Sequence, residues 1–424
     1  MASQTKTLHL KKHFTIKKQL KPQKITYIVF QMKIALACPA SLPATQFGGI
    51  LFLCVDIARE LAKRGHDVTI YTTDLDFANN PRTFNKRLPR LEIHDGFKIN
   101  RSHVWFSFKL FYVNPGMYYQ MKKDKADIIH TVGIRSFQSF IAALVSRKYK
   151  IPLVISDQGG LTTHPDLTEG NLFKKMIYKL QNPIVKFIIN QARRISVANE
   201  YEEKIFSKYK DKSKITIIRN GISLEVLQRS TVDFKKKYGI KDNLILFVGR
   251  FSKVKGIDIL LQAWALIKDN TLTQNTKLVI MGVDFGFESE MLKMVDKLEI
   301  ANKVVVIRKP PREDVIAAYQ ACEFLVLPSR WELSPLTPLE GFAFKKAVIS
   351  TKTHGIPYTI KEGENALLVE PENFRELSYA ILKLLADERM KLTYGNAGYN
   401  FVHDVCNSKT MAENTLKMYE EILS

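Results

Sequence analysis

Short apolar runs alternate with amphipathic segments along the chain from Met32 onward. The run from Met32 to Cys38 predicts a strand, and apolar residues from Ile50 to Leu61 recur at helical spacing, which predicts a helix ending before Gly65. Five more segments of the first half predict strands, at residues 67–73, 126–132, 152–156, 193–199 and 214–220. Strands that alternate with helices indicate a parallel, doubly wound sheet.

The same alternation restarts after a polar segment at residues 229–239. Six strands are predicted in this second half, at residues 244–249, 277–282, 303–307, 324–329, 347–351 and 366–370. We therefore expect an α/β protein with two Rossmann-like, doubly wound parallel-sheet domains facing a central cleft, where such proteins bind ligands. The predicted domains are 32–230 and 231–404, followed by a helix at 405–424 that packs back onto the first domain.

Residues 1–31 differ from the rest, because they carry seven lysines and no acidic residue and precede a second methionine, Met32. Two interpretations remain open. One is a disordered tail or a start assigned too early; the other is a basic arm that binds a membrane or another polyanion.

The composition is that of an ordinary globular protein. The chain has 424 residues, 46% of them hydrophobic and 25% charged, which excludes collagenous, low-complexity and disordered classes. The net charge of +22 is unusual, and residues 32–230 hold +14 of it while residues 231–424 hold only +1. Such an excess attracts nucleic acid, an anionic membrane surface or a phosphorylated substrate.

The longest apolar stretch near the start, residues 25–38, falls short of the roughly 20 residues that span a bilayer. The first 24 residues contain no apolar segment before a small-residue cleavage site, so we expect neither a transmembrane helix nor a secretory signal. The four cysteines are far apart and form no C-x-x-C pair, so neither a zinc ribbon nor a disulfide framework is indicated. We therefore expect a cytoplasmic protein.

Two cations follow the first strand of the second half. In VGRFSKVKG, Arg250 and Lys255 lie on the loop that enters a helix, which is where a doubly wound sheet binds phosphates. An arginine fork and a lysine point charge suit a pyrophosphate. The alternative is a solvated basic loop.

Two acids lie eight positions apart in SRWELSPLTPLEGFAF, namely Glu332 at a strand end and Glu340 inside the next helix. The helix start offers free N–H groups to a phosphate, and the carboxylates can bind hydroxyls. The alternative is structural, because Thr337 and Glu340 also form a T-x-x-E capping box with Pro338 at the first helical position.

A pair of glycines, Gly48 and Gly49 in TQFGGILF, follows the first strand and opens the first helix. A phosphate or sugar could approach the backbone closely there. The pair lacks the G-x-G-x-x-G pattern, which speaks against a nicotinamide dinucleotide.

Taken in their order along the chain, these segments resemble glycosyltransferase family 4, the retaining nucleotide-sugar enzymes with the two-domain GT-B fold. The resemblance covers residues 32–424. It is carried by the Gly-Gly loop and the E-x7-E pair, and by ARELAKRGHDVTIYT, ADIIHT, ITIIRNGIS, LFVGRFSKVKG, LVIMGVD, FLVLPSRWE and HGIPYTIKEGENALLVEP.

The resemblance implies a role for each site residue. Arg250 and Lys255 would hold the diphosphate of a UDP- or GDP-hexose donor, Glu332 the sugar hydroxyls and Glu340 the ribose. Gly48 and Gly49 would lie against the donor from the opposite domain, with the backbone of Leu336 and Thr337 at the helix start completing the site. It further implies a front-face displacement in which the leaving diphosphate helps to deprotonate the acceptor, with no metal and no other cofactor.

Two positions depart from the family pattern. Many relatives have a second histidine two residues after the first, but here Val132 follows His130 at that spacing. His130 is therefore expected to be a core residue at a strand end. The family's E-x-F-G loop contains Pro335 here, and Pro338 follows, so fewer backbone N–H groups face the phosphates.

The acceptor is expected at the basic first domain. Residues 171–194 hold six basic and no acidic residues among large apolar ones, which suits either an interfacial helix pair on anionic lipid or a core helix with a solvated face. We expect a lipid-linked or other saccharide acceptor and a protein peripheral on the inner face of the cell membrane. No nucleic-acid partner is expected, because no binding module is present. The alternatives are a non-catalytic partner or sensor subunit, or a soluble or nucleic-acid acceptor.

Overall fold

The computed structural model describes residues 31–76, 83–108, 111–158, 161 and 172–424. The basic N-terminal segment, apart from its last residue, lies outside the described residues. Two sheets dominate the fold, one of eight strands from residues 33–217 and one of six strands from residues 243–369.

The first sheet has the strand order β10-β9-β8-β7-β1-β2-β4-β3 and is parallel except for the antiparallel pair β3–β4. A separate hairpin joins β5 to β6. The strands are β1 Lys33–Ala37, β2 Asp67–Thr73, β3 Leu91–His94, β4 Phe97–Ser102, β5 Phe106–Phe108, β6 Phe111–Val113, β7 Ile128–Val132, β8 Leu153–Ser156, β9 Ala192–Val197 and β10 Ile215–Ile217.

Helices cover both faces of this sheet, and each face has its own apolar core. Ile34 and Ile70 point to the α1 side, while Ala35 and Ile129 point to the side of α2, α3 and α4, as expected when successive side chains of a strand alternate. The helices are α1 Gly49–Lys63, α2 Gly116–Asp124, α3 Phe137–Tyr149, α4 Leu172–Gln191 and α5 Glu200–Phe206.

The second sheet is entirely parallel, with the order β13-β12-β11-β14-β15-β16. Its strands are β11 Asn243–Val248, β12 Thr276–Gly282, β13 Val304–Arg308, β14 Phe324–Leu327, β15 Ala347–Thr351 and β16 Ala366–Val369. The accompanying helices are α6 Phe234–Lys237, α7 Ile257–Leu266, α8 Glu288–Lys297, α9 Arg312–Ala321, α10 Leu336–Ala343, α11 Ile356–Thr359, α12 Phe374–Ala386, α13 Glu388–Asp404 and α14 Ser408–Leu423.

The predicted α/β architecture with two doubly wound sheets is confirmed. Each predicted strand is present, shorter than predicted by a few residues in several cases. The edge strand β3, its partner β4 and the β5–β6 hairpin were not predicted. Leu91 and Ile93 in β3 are 59% and 75% exposed, so this strand lacks the buried apolar run that marks the central strands.

The last helix crosses to the first sheet. Helix α14 packs along α1, where Arg64 donates to Glu413 at 2.9 Å and buried Met411, Met418 and Tyr419 join the core of the α1 side. The chain thus leaves the second sheet and ends on the first.

Each sheet has a point at which the strand order reverses, and a ligand crevice forms there beyond the carboxyl ends of the strands. In the second sheet this point lies between β11 and β14, and in the first it lies between β1 and β7. Arg250 follows β11, Glu332 follows β14 and Gly48 follows β1. The topology therefore places all three sequence motifs at reversal points.

Candidate functional site

The loop after β11 brings Lys255 to the end of β14. A 3₁₀ turn over Lys253–Lys255 ends at Gly256, which has φ +67°, and a Cβ there would lie 1.9 Å from the carbonyl oxygen of Pro328. Only glycine fits both this conformation and this close approach. The Nζ of Lys255 forms an ion pair with Oε1 of Glu332.

Arg250 lies on the same loop, with its guanidinium 5.0 Å from the ring centre of Phe285. Its side chain is exposed, yet the protein atoms around it lower its pKa, while the charge of Glu332 acts the other way. An arginine stays protonated under these conditions. Arg250 and Lys255 thus place two positive charges beside one carboxylate.

Glu332 is held by its backbone as well as by its side chain. Its carbonyl oxygen accepts a hydrogen bond from the N–H of Gly355 at 3.0 Å, and Ser329 Oγ donates to Oε1 at 3.3 Å. A Cβ at Gly355 would lie 1.8 Å from the carbonyl oxygen of Leu333, so the two loops touch through backbone. This contact fixes the position of the Glu332 loop.

Helix α10 begins at Leu336, and the structure corrects the capping-box interpretation. The N-cap is Pro335, which has no side-chain cap bond, and Thr337 Oγ1 instead lies 3.5 Å from the carbonyl oxygen of Val248. Proline cannot cap, because it has no side-chain acceptor. The first N–H groups of α10 therefore have no side-chain cap.

Glu340 has partners other than a cap. Arg312 Nη2 donates to Oε1 at 2.6 Å, Arg312 Nη1 donates to Oε2 at 3.3 Å, and the hydroxyl of Tyr319 donates to Oε2 at 2.7 Å. The carboxylate side chain is 12% exposed. Its charge keeps the pKa of Arg312 above the ordinary value although burial acts the other way.

Gly48 and Gly49 lie opposite this helix. Gly48 has φ +98°, and a Cβ on Gly49 would lie 3.4 Å from Cδ1 of Leu336 at the start of α10. The glycine loop of the first sheet therefore contacts the helix start of the second. The structure brings together the site residues that were predicted from sequence: Gly48, Gly49, Arg250, Lys255, Glu332, Leu336, Thr337 and Glu340.

Val132 is the last residue of β7, whereas His130 is its middle residue, so the expected position of His130 at a strand end is wrong. Val132 is 2% exposed and packs in the core of the α1 side. His130 is 1% exposed, with Nδ1 2.6 Å from the hydroxyl of Tyr419 and Nε2 2.7 Å from Oγ of Ser156. The expectation that His130 is a core residue is confirmed.

Sequence reasoning missed the residues that support the Glu332 loop from the first domain. Asn199 Nδ2 donates to the carbonyl oxygen of Leu333 at 2.6 Å, and Asn220 Nδ2 donates to that of Ser334 at 3.4 Å. Asn220 lies in the quoted segment ITIIRNGIS, which offered a signal, whereas nothing marked Asn199.

The assembled site can bind an anion and hydroxyl groups side by side. Arg250, Lys255 and the α10 amides attract phosphate, and the carboxylates of Glu332 and Glu340 accept hydrogen bonds from hydroxyls. Within residues 31–76, 83–108, 111–158, 161 and 172–424, no group of three His, Cys, Asp or Glu residues could hold a metal ion.

Two family models match almost the whole described chain. The model described as Glycosyltransferase Family 4 matches residues 47–226, and the model described as Glycosyl transferases group 1 matches residues 230–401. The chain belongs to the family 4 glycosyltransferases. This glycosyltransferase is 23% identical to N-acetyl-alpha-D-glucosaminyl L-malate synthase of Bacillus anthracis, over 93% of this chain and 98% of that one.

Solved structures confirm the predicted GT-B fold of this glycosyltransferase. Sucrose-phosphate synthase from Thermosynechococcus elongatus superposes with a TM-score of 0.73 at 20% identity, over 92% of this chain and 99% of that chain. Anabaena HepE in complex with UDP-glucose superposes with a TM-score of 0.72 at 17% identity, over 92% and 100% respectively.

In the portion of the chain that is described, no helix of the glycosyltransferase combines the length and the apolar character needed to cross a membrane.

Proposed function

We propose that this glycosyltransferase is a retaining enzyme that moves a hexose from a UDP- or GDP-sugar to an acceptor hydroxyl. One observation carries the proposal: Arg250, Lys255, Glu332 and Glu340 gather at the strand-order reversal of the second sheet, where α10 faces the Gly48–Gly49 loop. This arrangement matches a diphosphate flanked by a sugar and a ribose.

The proposed step breaks the bond between the anomeric carbon and the diphosphate oxygen. A bond from the acceptor oxygen to the anomeric carbon forms on the same face of the sugar, and the acceptor proton moves to the departing diphosphate. Arg250 and Lys255 neutralise the charge that develops on the leaving group, aided by the amides of Leu336 and Thr337. Because these groups supply the positive charge, the step requires no metal.

The carboxylates position the donor for this step. Glu332 accepts hydrogen bonds from hydroxyls of the transferred sugar. Its ion pair with Lys255, the proposed ligand of the diphosphate, supports a position for that sugar beside the diphosphate. Glu340 accepts from the ribose. HepE, whose solved structure contains UDP-glucose, supports a nucleotide-sugar as the class of donor.

The test is a panel of UDP- and GDP-hexoses, screened for thermal stabilisation and for slow donor hydrolysis. A ligand that binds only the folded protein at 100 times its Kd stabilises it by about 2.7 kcal/mol. We expect one nucleotide to raise the melting temperature and one of its sugars to be hydrolysed. A folded protein whose transition does not shift with UDP or GDP at millimolar concentration refutes the donor site.

We further propose a lipid-linked or other saccharide acceptor that reaches the first domain from an anionic membrane. Helix α4 exposes Met176 and Leu180, at 52% and 71%, on a helix whose Lys179 and Lys186 are also exposed. Apolar and basic side chains on one exposed helix suit the interface of an anionic bilayer. The enzyme would then act as a peripheral protein on the inner face of the cell membrane.

The same donor panel tests the alternative of a non-catalytic partner or sensor subunit. Val132 favours that alternative, since its buried side chain offers no polar group where many relatives have histidine. Nucleotide binding without hydrolysis or transfer, for every donor and acceptor tried, would favour the sensor interpretation.

A further inference from the structure

Arg312 occupies an unusual place for a cation, because it is the first residue of helix α9. Positive charge is unfavourable at a helix N-terminus, where the backbone dipole favours acids such as the neighbouring Glu313 and Asp314. Local helix stability therefore does not account for Arg312. Its two bonds to Glu340, across 28 positions of the chain, do account for it.

The same guanidinium also touches the first domain. Its central carbon lies 5.6 Å from the ring centre of Phe52 in α1. Burial raises the pKa of Asp56 to about 6, and the charges of Arg59 and then of Arg312 act against this rise. Gly49, Phe52 and Asp56 are spaced three and four residues apart, so they lie on one face of α1. That face of α1 contacts the second domain at Leu336 and Arg312.

We propose that Arg312 is a positioning residue that orients the Glu340 carboxylate toward the donor ribose and is braced by Phe52 of the opposite domain. The proposal rests on the donor-site function given above and assigns to that site a residue on a different helix. It makes recognition of the ribose depend on both domains.

The contacts of the Glu340 carboxylate leave room for a ribose hydroxyl. A carboxylate has about four lone-pair positions, two on each oxygen. Among the described residues, Arg312 Nη1 and Tyr319 occupy those of Oε2, and Arg312 Nη2 occupies one on Oε1. The second position on Oε1 is left to accept a ribose hydroxyl. A lysine could not hold both oxygens in this way, because it lacks the planar fork.

The test compares a nucleoside diphosphate with its 2′,3′-dideoxy analogue, using UDP or GDP, whichever binds. The wild-type protein should bind the parent nucleotide about 10-fold or more tightly than the analogue, the scale of one hydrogen bond to a charged group. In Arg312→Ala and Arg312→Lys, affinity for the parent should fall toward that of the analogue, while affinity for the analogue stays unchanged.

The outcomes separate the two proposals. If the wild-type protein binds both nucleotides equally, the ribose role of Glu340 fails. If the wild-type protein discriminates and both Arg312 variants discriminate equally well, the positioning role of Arg312 fails. Equal weakening of both nucleotides also overturns it, because that pattern indicates general damage to the site.

Controls follow from neighbouring side chains. Arg308→Ala removes an exposed arginine paired with Glu288 and should leave discrimination intact. The double variant Arg312→Ala with Glu340→Gln should bind no worse than Glu340→Gln alone, because Arg312 acts through that carboxylate. Phe52→Leu should lose part of the discrimination, and full wild-type discrimination in this variant would overturn the brace from the first domain.

Discussion

The hydroxyl of Tyr419 lies 2.6 Å from Nδ1 of His130, so the last helix is bonded to the middle of a central strand of the first sheet. Ser156 Oγ lies 2.7 Å from the other ring nitrogen. A neutral imidazole has one donor and one acceptor nitrogen, and these two hydroxyls satisfy both. His130 is therefore a structural residue that joins the C-terminal helix to the first domain.

This buried histidine predicts acid sensitivity. Burial lowers the pKa of His130 from 6.5 to about 3, so below pH 6.5 the unfolded chain takes up a proton that the folded protein does not. Stability contributed by this site is present above pH 6.5 and is lost as the pH falls toward 3, at up to about 1.4 kcal/mol per pH unit.

Urea unfolding at pH 7.5 and pH 5 measures this effect in the wild-type protein and in His130→Phe. We expect the free energy of unfolding to fall more in the wild type than in the variant. A gap between the two proteins that is the same at both pH values contradicts the assignment of a buried neutral imidazole.

Glu202 predicts the opposite trend at alkaline pH. Burial raises the pKa of its carboxyl from 4.5 to about 8, although the N–H of Ala198 donates to Oε2 at 2.6 Å. The folded protein keeps this proton at pH values where the unfolded chain has released it, so stability is present below pH 4.5 and is lost as the pH rises through 8.

Glu202→Gln should therefore gain stability relative to the wild type as the pH rises from 5 to 9, since an amide cannot ionise. Thermal unfolding across this range measures the difference. Glu203→Gln, on the same helix and 3.4 Å from the exposed Nζ of Lys212, serves as the control. A pH-independent difference for Glu202→Gln would show that its carboxyl titrates normally.

Much of the fold follows from local patterns, and the site motifs follow from their position after strands. The alternation of apolar runs is a property of adjacent residues, which is why the central strands were predicted. The capping-box interpretation was wrong because the N-cap of α10 is Pro335, two residues before Thr337, so Thr337 already lies inside the helix. The contacts of Asn199 with Leu333 and of Arg312 with Glu340 join distant positions, and no local pattern reports such pairs.

The donor-site assignment predicts the effect of removing one charge at a time. Lys255→Ala and Glu332→Ala should each reduce turnover by about two orders of magnitude or more, the scale of losing one transition-state contact. Both variants should remain folded by circular dichroism. Lys253→Ala, which removes an exposed lysine of the same loop, should retain activity and is the matched control.

A chelator tests the metal-free mechanism in the same assay. Because Arg250 and Lys255 supply the charge, we expect turnover to continue in excess EDTA. Loss of activity that manganese restores would require a metal at the leaving group and would end the metal-free proposal.

Membrane attachment is predicted to depend on the exposed face of α4. Each basic residue near an anionic bilayer contributes about 1 kcal/mol, so a few contacts give attachment that salt reverses. We expect the protein to sediment with vesicles that contain anionic lipid, less so as salt rises, and less again when Lys179 and Lys186 are replaced by Glu. The same charge change at the exposed Lys236 and Lys241 of the second domain should have little effect, because the excess charge lies in the first domain.

Equal sedimentation with neutral and anionic vesicles would contradict this attachment, and binding to nucleic acid without binding to either vesicle would favour a nucleic-acid acceptor.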